Sequence, residues 1–128
     1  MKTSRRAKKS GMVFPNRKIS ETFLDFSSPL LGMLDGVAAK GEIEKVLIIT
    51  YTVWNAVVMD EVNNTDYVAR LRASTKHDLL VSALIEQFIA RKKELFPDDL
   101  RMVGEYSVTL DGREWRLHAD ARDPSSIR

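Results

Sequence analysis

Residues 42–62 form the longest apolar stretch of the chain, and only two threonines and Asn55 interrupt its middle. Its β-branched and aromatic residues favour a strand locally, but about twenty residues without a turn signal exceed the length of an ordinary strand. The pattern therefore predicts a helix that is buried on most sides. We expect it to begin after Gly41 and to end at Asn63 and Asn64.

The segment before this central helix repeats apolar residues every three or four positions. Ser20 is the predicted N-cap, and Ile19 is expected to pack on Leu24 across the helix start. Pro29 predicts either a kink or a second helix that begins with Ser28 as its cap, because proline cannot donate to residue 25. The predicted apolar stripe comprises Phe23, Phe26, Leu30, Leu34 and Val37.

Two further helices are predicted after the central one. Residues 66–72 form the first, with Tyr67 and Leu71 directed inward. The second begins with Ser74 or Thr75 as its cap and stops at a proline, and basic residues near its end suit the helix dipole. Its predicted apolar face comprises Val81, Leu84, Ile85, Phe88 and Leu95.

Residues 105–119 change from a helical period to strict alternation of polar and apolar positions. Asp-Gly at 111–112 is typical of a two-residue hairpin turn. Pairing outward from that turn places Val108 opposite Trp115, and apolar residues meet apolar ones along the strands. A two-stranded sheet is marginal alone, so we expect its apolar face to dock on the helices.

These elements predict a mainly helical α+β fold, with three to four helices packed around a buried central helix and a C-terminal antiparallel β-hairpin. The 128 residues suffice for one ordinary domain. We interpret residues 1–18 as a flexible basic arm, 19–120 as the single globular domain and 121–128 as a loose end.

Charge is distributed unevenly along the chain. Residues 1–18 hold seven basic residues and no acid, so 13 of the 20 basic residues remain against all 18 acids, a net of −5 for residues 19–128. A basic surface on the domain is thereby excluded. Non-specific nucleic-acid association is predicted only through the arm, with Arg5, Arg6, Lys8 and Lys9 as candidate contacts.

Composition narrows the chemistry further. The chain has no cysteine, which excludes disulfides, thiolate metal sites and a cysteine nucleophile. It contains no glycine-rich phosphate loop and no recognised hydrolase or metalloprotease motif. The acidic pairs at 60–61 and 98–99 have no third ligand at a suitable spacing, so no metal or cofactor is expected. The N-terminal residues lack a secretory signal, and we expect a cytoplasmic protein without membrane contact.

Two positions are candidate ligand sites. His118 is predicted to lie opposite Glu105, a pair that suits either a solvated contact or, less often, catalysis or metal binding. Trp54 and Asn55 lie in the middle of the central helix, where a buried amide needs hydrogen-bond partners. Asn55 is expected to tie two segments together or to border a small polar cavity.

Three short motifs occur in order along the chain: F-L-D-F-S-S-P-L-L, V-W-N-A-V and F-P-D-D-L-R, followed by the hairpin. In this combination the chain resembles a group of small uncharacterised bacterial proteins over roughly residues 19–120. The resemblance implies a bacterial cytoplasmic origin, and it carries no assigned activity or site residues.

The sequence favours a protein-binding or regulatory module without catalytic activity, because no nucleophile, base and orienting group can be assembled. Its expected partner is another protein or a second copy of the chain. The alternatives are nucleic-acid association through the arm and a small-ligand protein or enzyme with its site near Asn55 or His118. An apolar pocket bordered by Asn55 would favour the ligand alternative, and a broad apolar patch would favour a protein partner or self-association.

Overall fold

The computed structural model describes residues 18–34, 39–112 and 114–126. Within these residues, four α-helices precede a C-terminal antiparallel hairpin, which confirms the predicted mainly helical α+β fold. None of the helices in the described ranges combines the length and the apolar content needed to cross a lipid bilayer. The elements are α1 (Ile19–Leu31), α2 (Lys40–Asn63), α3 (Tyr67–Thr75), α4 (Leu79–Leu95), β1 (Met102–Asp111), β2 (Glu114–Arg122) and a short 3-10 helix (Pro124–Ser126).

The predicted central helix is confirmed as α2, and it is about 36 Å long at 1.5 Å per residue. It begins at Lys40, two residues before the predicted start. It ends where Asn64 adopts a left-handed conformation with φ of 56°. The other three helices, β1 and the 3-10 helix all pack against it. Its buried residues include Val46, Leu47, Val53, Trp54, Val57 and Val58.

The start of α1 differs from the prediction. Lys18 is the N-cap residue, and Ser20 lies inside the helix. The Ser20 hydroxyl is drawn to the hairpin instead, where it donates to the Ala119 carbonyl and accepts from the Ala119 N–H. Ile19 is buried, but Leu24 is half exposed, so the predicted contact between them does not organise the helix start. Val37 lies outside the described residues.

Helix α1 continues through Pro29 as one helix, so the predicted alternative of a second helix capped by Ser28 is wrong. Proline leaves the Asp25 carbonyl without its usual helical donor. The Ser28 hydroxyl donates to that carbonyl at 2.8 Å, and Arg91 of α4 donates to it at 3.0 Å and to the Phe26 carbonyl at 3.0 Å. Side-chain donors thus replace the missing main-chain bond.

Helix α3 is longer than predicted, and the inward direction is confirmed for Leu71, which packs against the core, but not for Tyr67. Val68 is buried, whereas Tyr67 is 40% exposed. The last turn of α2 caps this helix, because the Asp60 carboxylate accepts from the main-chain N–H groups of Tyr67 at 2.8 Å and Val68 at 3.0 Å.

The predicted caps of α4 are also wrong. Ser74 and Thr75 form the end of α3, where both hydroxyls donate back to the Leu71 carbonyl at 2.9 Å. Asp78 caps α4 by accepting from the Val81 N–H at 3.1 Å. The face of α4 that meets the core is Ile85, Phe88, Ile89 and Lys92, while Leu95 is exposed.

The hairpin is confirmed, but its register differs by two residues from the prediction. Val108 lies opposite Leu117, not opposite Trp115, and Asp111 pairs with Glu114 as the last pair before the loop. Gly112 directly follows the last paired residue of β1, and its φ is 65°. Glycine at that position is a strong hairpin preference. A shift of two residues keeps every side chain on its predicted face, which is why alternation alone could not detect it.

A bulge interrupts the pairing between Val103 and Tyr106. A Cβ on Gly104 would lie 2.1 Å from Asp120 Oδ1, so only glycine fits there without moving that carboxylate. The same oxygen accepts from the Glu105 N–H at 2.9 Å. Asp120 thus satisfies a main-chain donor that the bulge takes out of the ladder.

The hairpin docks on the helices through its apolar face, as predicted. The Tyr106 ring lies 5.8 Å from Phe23 and 5.2 Å from Tyr51, measured between ring centroids. Strand β2 continues to Arg122, two residues past the predicted domain end, and the following 3-10 helix packs on α2. Asn63 Nδ2 donates to the Pro124 carbonyl at 2.8 Å.

Candidate functional site

The middle of α2 carries a buried amide that bonds to the first strand. Asn55 Nδ2 donates to the Val103 carbonyl at 2.8 Å, and Asn55 Oδ1 accepts from the Val103 N–H at 2.8 Å. The amide occupies the place that a neighbouring strand would take beside β1. Because its donor and acceptor sides are both engaged, Asn55 is buried without an unsatisfied polar group at either side.

Trp54, the preceding residue, is fully buried and also bonds to the chain near β1. Its indole Nε1 donates to the Arg101 carbonyl at 2.7 Å. The ring lies edge-on to Phe26 at 5.1 Å and to Phe96 at 5.6 Å between centroids. Two adjacent side chains of α2 therefore fix the segment that leads from α4 into the hairpin.

Lys92 is the least expected buried residue. Its Nζ donates to the main-chain carbonyls of Phe96 at 2.6 Å and Asp99 at 3.0 Å, and it lies 4.5 Å from the centroid of the Trp54 ring. Burial lowers the pKa of the Lys92 ammonium to about 8, although the charges of Asp99, Glu61 and Asp98 act in the opposite direction. The cation thereby organises the turn that follows α4.

Asp99 and Arg101 complete this turn. The guanidinium donates to both carboxylate oxygens, from Nη2 at 2.6 Å and from Nε at 2.9 Å. Arg101 Nη2 also reaches the Thr22 hydroxyl at 3.4 Å. The bonds to Asp99 raise the pKa of Arg101 above its ordinary value, and burial opposes them. We call this connected polar set the seam: Trp54, Asn55, Lys92, Asp99, Arg101 and Val103.

A cleft of about 340 Å³ lies beside the seam, between the second half of α2 and the end of α4. Its apolar walls are Val57, Val58, Pro97 and Leu100, and its charged residues are Glu61, Lys92 and Lys93. Lys92 belongs to both the seam and the cleft. Trp54 and Asn55, the predicted ligand residues, direct their polar atoms to Arg101 and Val103 instead.

The opposite end of the helical layer has a different surface. Leu79 and Leu80, in the first turn of α4, are 83% and 72% exposed. Leu80 adjoins Leu84, which is only partly buried, because residues four apart share one face of a helix. We call residues 71–84 the tip, since they comprise the end of α3, the connection and the start of α4.

The hairpin does not place His118 opposite Glu105. Ser107 is the partner of His118, and Glu105 lies in the bulge, where its N–H donates to Asp120. The side chains of His118 and Glu105 are both exposed. The predicted carboxylate–histidine pairing is therefore wrong, and its physical cause is the register shift.

The remaining candidates are the basic residues of the arm and the two acidic pairs. Arg5, Arg6, Lys8 and Lys9 lie outside the described residues, so nucleic-acid association through them stays a prediction. Among residues 18–34, 39–112 and 114–126, no three His, Asp or Glu side chains converge as a metal ion requires. One member of each acidic pair has a structural role: Asp60 caps α3, and Asp99 accepts hydrogen bonds from Arg101.

The sequence contains one signal that predicts part of the seam. Lys92 follows Ile85 and Phe88 at helical spacing, which places it on the buried face of α4. A basic residue on an apolar stripe indicates a buried cation with specific partners. Asp99 and Arg101 left no such signal, because no periodicity marks a turn.

Comparison of the chain with protein-family models, curated proteins and solved structures finds no match. The resemblance to small bacterial proteins, and the bacterial origin that it implies, therefore stay predictions.

Proposed function

We propose that the protein is a protein-binding module that acts through the tip, and that a second copy of the chain is a partner it accepts. The observation that carries this proposal is the exposure of two adjacent leucines, Leu79 and Leu80, at the start of an ordered helix. Covering a leucine side chain is favourable by about 1.5–3 kcal/mol. Two such side chains, with Leu80 beside the partly buried Leu84, supply an anchor for a partner.

The tip is also held in place before any partner arrives. Asp78 caps α4, and Arg72 of α3 donates to both carboxylate oxygens of Glu86 at 2.7 and 3.0 Å. The leucines are therefore presented by a fixed pair of helices. Binding to such a surface loses little conformational entropy, which supports a docking role.

Charge favours a second copy as the partner. The tip, residues 71–84, contains two basic residues and one acid, so its formal charge is +1. The rest of residues 19–128 carries a net charge of −6. Two copies repel each other least when they meet through the tip.

Sedimentation equilibrium over a range of protein concentrations tests the proposal. The wild type should associate as its concentration rises, and the double variant Leu79→Gln/Leu80→Gln should remain monomeric. Leu95→Gln is the matched control, since Leu95 is also in α4 and 51% exposed but lies at the other end of the helix. This control should associate like the wild type.

A wild type that stays monomeric up to about 1 mM, where binding of only about 4 kcal/mol becomes visible, would overturn the proposal. Association that persists in the double variant but is lost in Leu95→Gln would move the interface to the other end of α4.

A further inference from the structure

The cleft is an apolar concavity at the end of α4 that lies far from the tip. Its volume is about 340 Å³, and Val57, Val58, Pro97 and Leu100 form its apolar walls. At about 30 Å³ per water, it has room for about eleven waters. Two leucine side chains together contain fewer carbon atoms than that, so they fit the space. Leu100 is 42% exposed, so an apolar group that enters the cleft also covers this wall.

The tip is an apolar protrusion at the other end of α4. Leu79 and Leu80 are largely exposed, so their side chains project from the surface. Leu80 lies about 18 Å from Lys92 of the cleft along one continuous helix, so a chain cannot place its own tip in its own cleft. An apolar protrusion and an apolar pocket on different parts of one molecule favour contacts between unlike surfaces of two copies.

Charge also favours a contact of the tip with the cleft over a contact between two tips. The tip has a formal charge of +1, so two tips repel each other. The charged residues of the cleft and of the turn beside it balance one another. They are the acids Glu61, Asp98 and Asp99 and the bases Lys92, Lys93 and Arg101. A tip that enters the cleft meets no net like charge there, and the net charge of −6 on the rest of residues 19–128 attracts it.

We propose that the cleft receives the tip of a second copy of the chain. This inference rests on the proposed function, because it names the surface that the tip contacts. Leu79 and Leu80 of one copy enter the cleft of the other and pack on its apolar walls. The contact removes exposed apolar area from both copies, from the two leucines of the tip and from Leu100 of the cleft.

Sedimentation equilibrium of a cleft variant tests this contact. Leu100→Gln removes an apolar wall of the cleft and leaves the tip intact, so it should weaken association by at least about tenfold relative to the wild type. Leu95→Gln is the matched control, since Leu95 is also a partly exposed leucine but lies outside the cleft. The control should associate like the wild type.

A mixture of two variants separates the tip-to-cleft contact from a contact between two tips. Leu79→Gln/Leu80→Gln retains an intact cleft, and Leu100→Gln retains an intact tip. An equimolar mixture should therefore associate at least about tenfold more tightly than either variant does alone.

Two results would overturn the tip-to-cleft contact and leave the proposed function in place. One is association of Leu100→Gln alone with the affinity of the wild type, and the other is a mixture that associates no more tightly than Leu100→Gln alone. A wild type that stays monomeric would overturn both proposals together.

Discussion

The seam and the tip are both built on α4, yet they treat polar and apolar groups in opposite ways. In the seam, side chains of α2 and α4 are buried with hydrogen bonds to the main chain of residues 96–103. At the tip, Leu79 and Leu80 are exposed, and the one buried residue of α3, Val68, precedes the tip. Near its C-terminal end, α4 contains the buried cation Lys92, and at its N-terminal end two leucine side chains are exposed to solvent.

This difference implies that the seam stabilises the fold of the single chain, whereas the tip contributes to binding a partner. Buried hydrogen-bonded groups specify one arrangement, because any other arrangement leaves them unsatisfied. Exposed leucines add little to the stability of a single chain, and their burial by a partner is available as binding energy. We therefore expect substitutions in the seam to change folding and substitutions at the tip to change association.

The largest effect should come from Trp54→Ala. The substitution removes a fully buried ring that contacts Phe26 and Phe96, and it leaves the Arg101 carbonyl without its indole donor. We expect a loss of about 3–5 kcal/mol in the free energy of unfolding, measured by chemical denaturation. Trp54→Phe, which retains most of the ring volume, should lose less. A loss below about 1 kcal/mol for Trp54→Ala would contradict the central place of the seam.

The second effect concerns pH. The folded pKa of Lys92 is lowered to about 8 from 10.5, so between these values the unfolded chain binds the proton that the folded chain has released. Stability attributable to this group should therefore rise as the pH rises through that window, by about 3 kcal/mol at 1.36 kcal/mol per pKa unit. Lys92→Met should lack this rise when compared with the wild type at each pH.

Lys93→Met is the matched control for the pH experiment: Lys93 is exposed beside Lys92, and this variant should keep the rise in stability that comes from Lys92. Parallel curves for the wild type and Lys92→Met between pH 7 and pH 10 would show that the Lys92 ammonium is not desolvated in the folded protein.

Asn55→Asp should have an intermediate effect. The carboxylate retains the acceptor for the Val103 N–H but replaces the donor to the Val103 carbonyl with a negative oxygen. We expect a loss of about 1–3 kcal/mol at pH 7. The loss should shrink at low pH, where the protonated carboxyl can donate again. Thermal and chemical denaturation of the variant and the wild type at pH 7 and pH 4 measure this loss of stability. A loss that is the same at both pH values would contradict the pair of hydrogen bonds between Asn55 and Val103.

These features differ in how far the sequence could predict them. Helix α2 and the hairpin follow from apolar run length and alternation, which are local properties. The bond between Asn55 and Val103 joins residues 48 apart, and no local pattern selects Val103 over its neighbours. The sequence predicted that Asn55 needs a hydrogen-bond partner but did not identify Val103 as that partner.

Neither the register of the hairpin nor the cleft could be predicted from local sequence patterns. A two-residue shift of β2 preserves both faces, so the correct partner of His118 depends on the loop geometry at Gly112. The cleft combines residues of α2, α4 and the turn after Pro97, and neither spacing nor composition brings them together. The burial of Lys92, in contrast, follows from the sequence, because its spacing from Ile85 and Phe88 places it on the buried face of α4.

The smallest effect should come from the tip. Leu79→Ala removes a side chain that is 83% exposed, and alanine keeps the helical propensity of the first turn. At concentrations where the protein is monomeric, we expect the free energy of unfolding to change by less than about 0.5 kcal/mol. Leu47→Ala is the matched comparison: Leu47 is 1% exposed, and the same truncation should lose about 2–5 kcal/mol. If denaturation of the dilute proteins gave similar losses for both, Leu79 would belong to the core of the single chain, and the tip could not serve as a free docking surface.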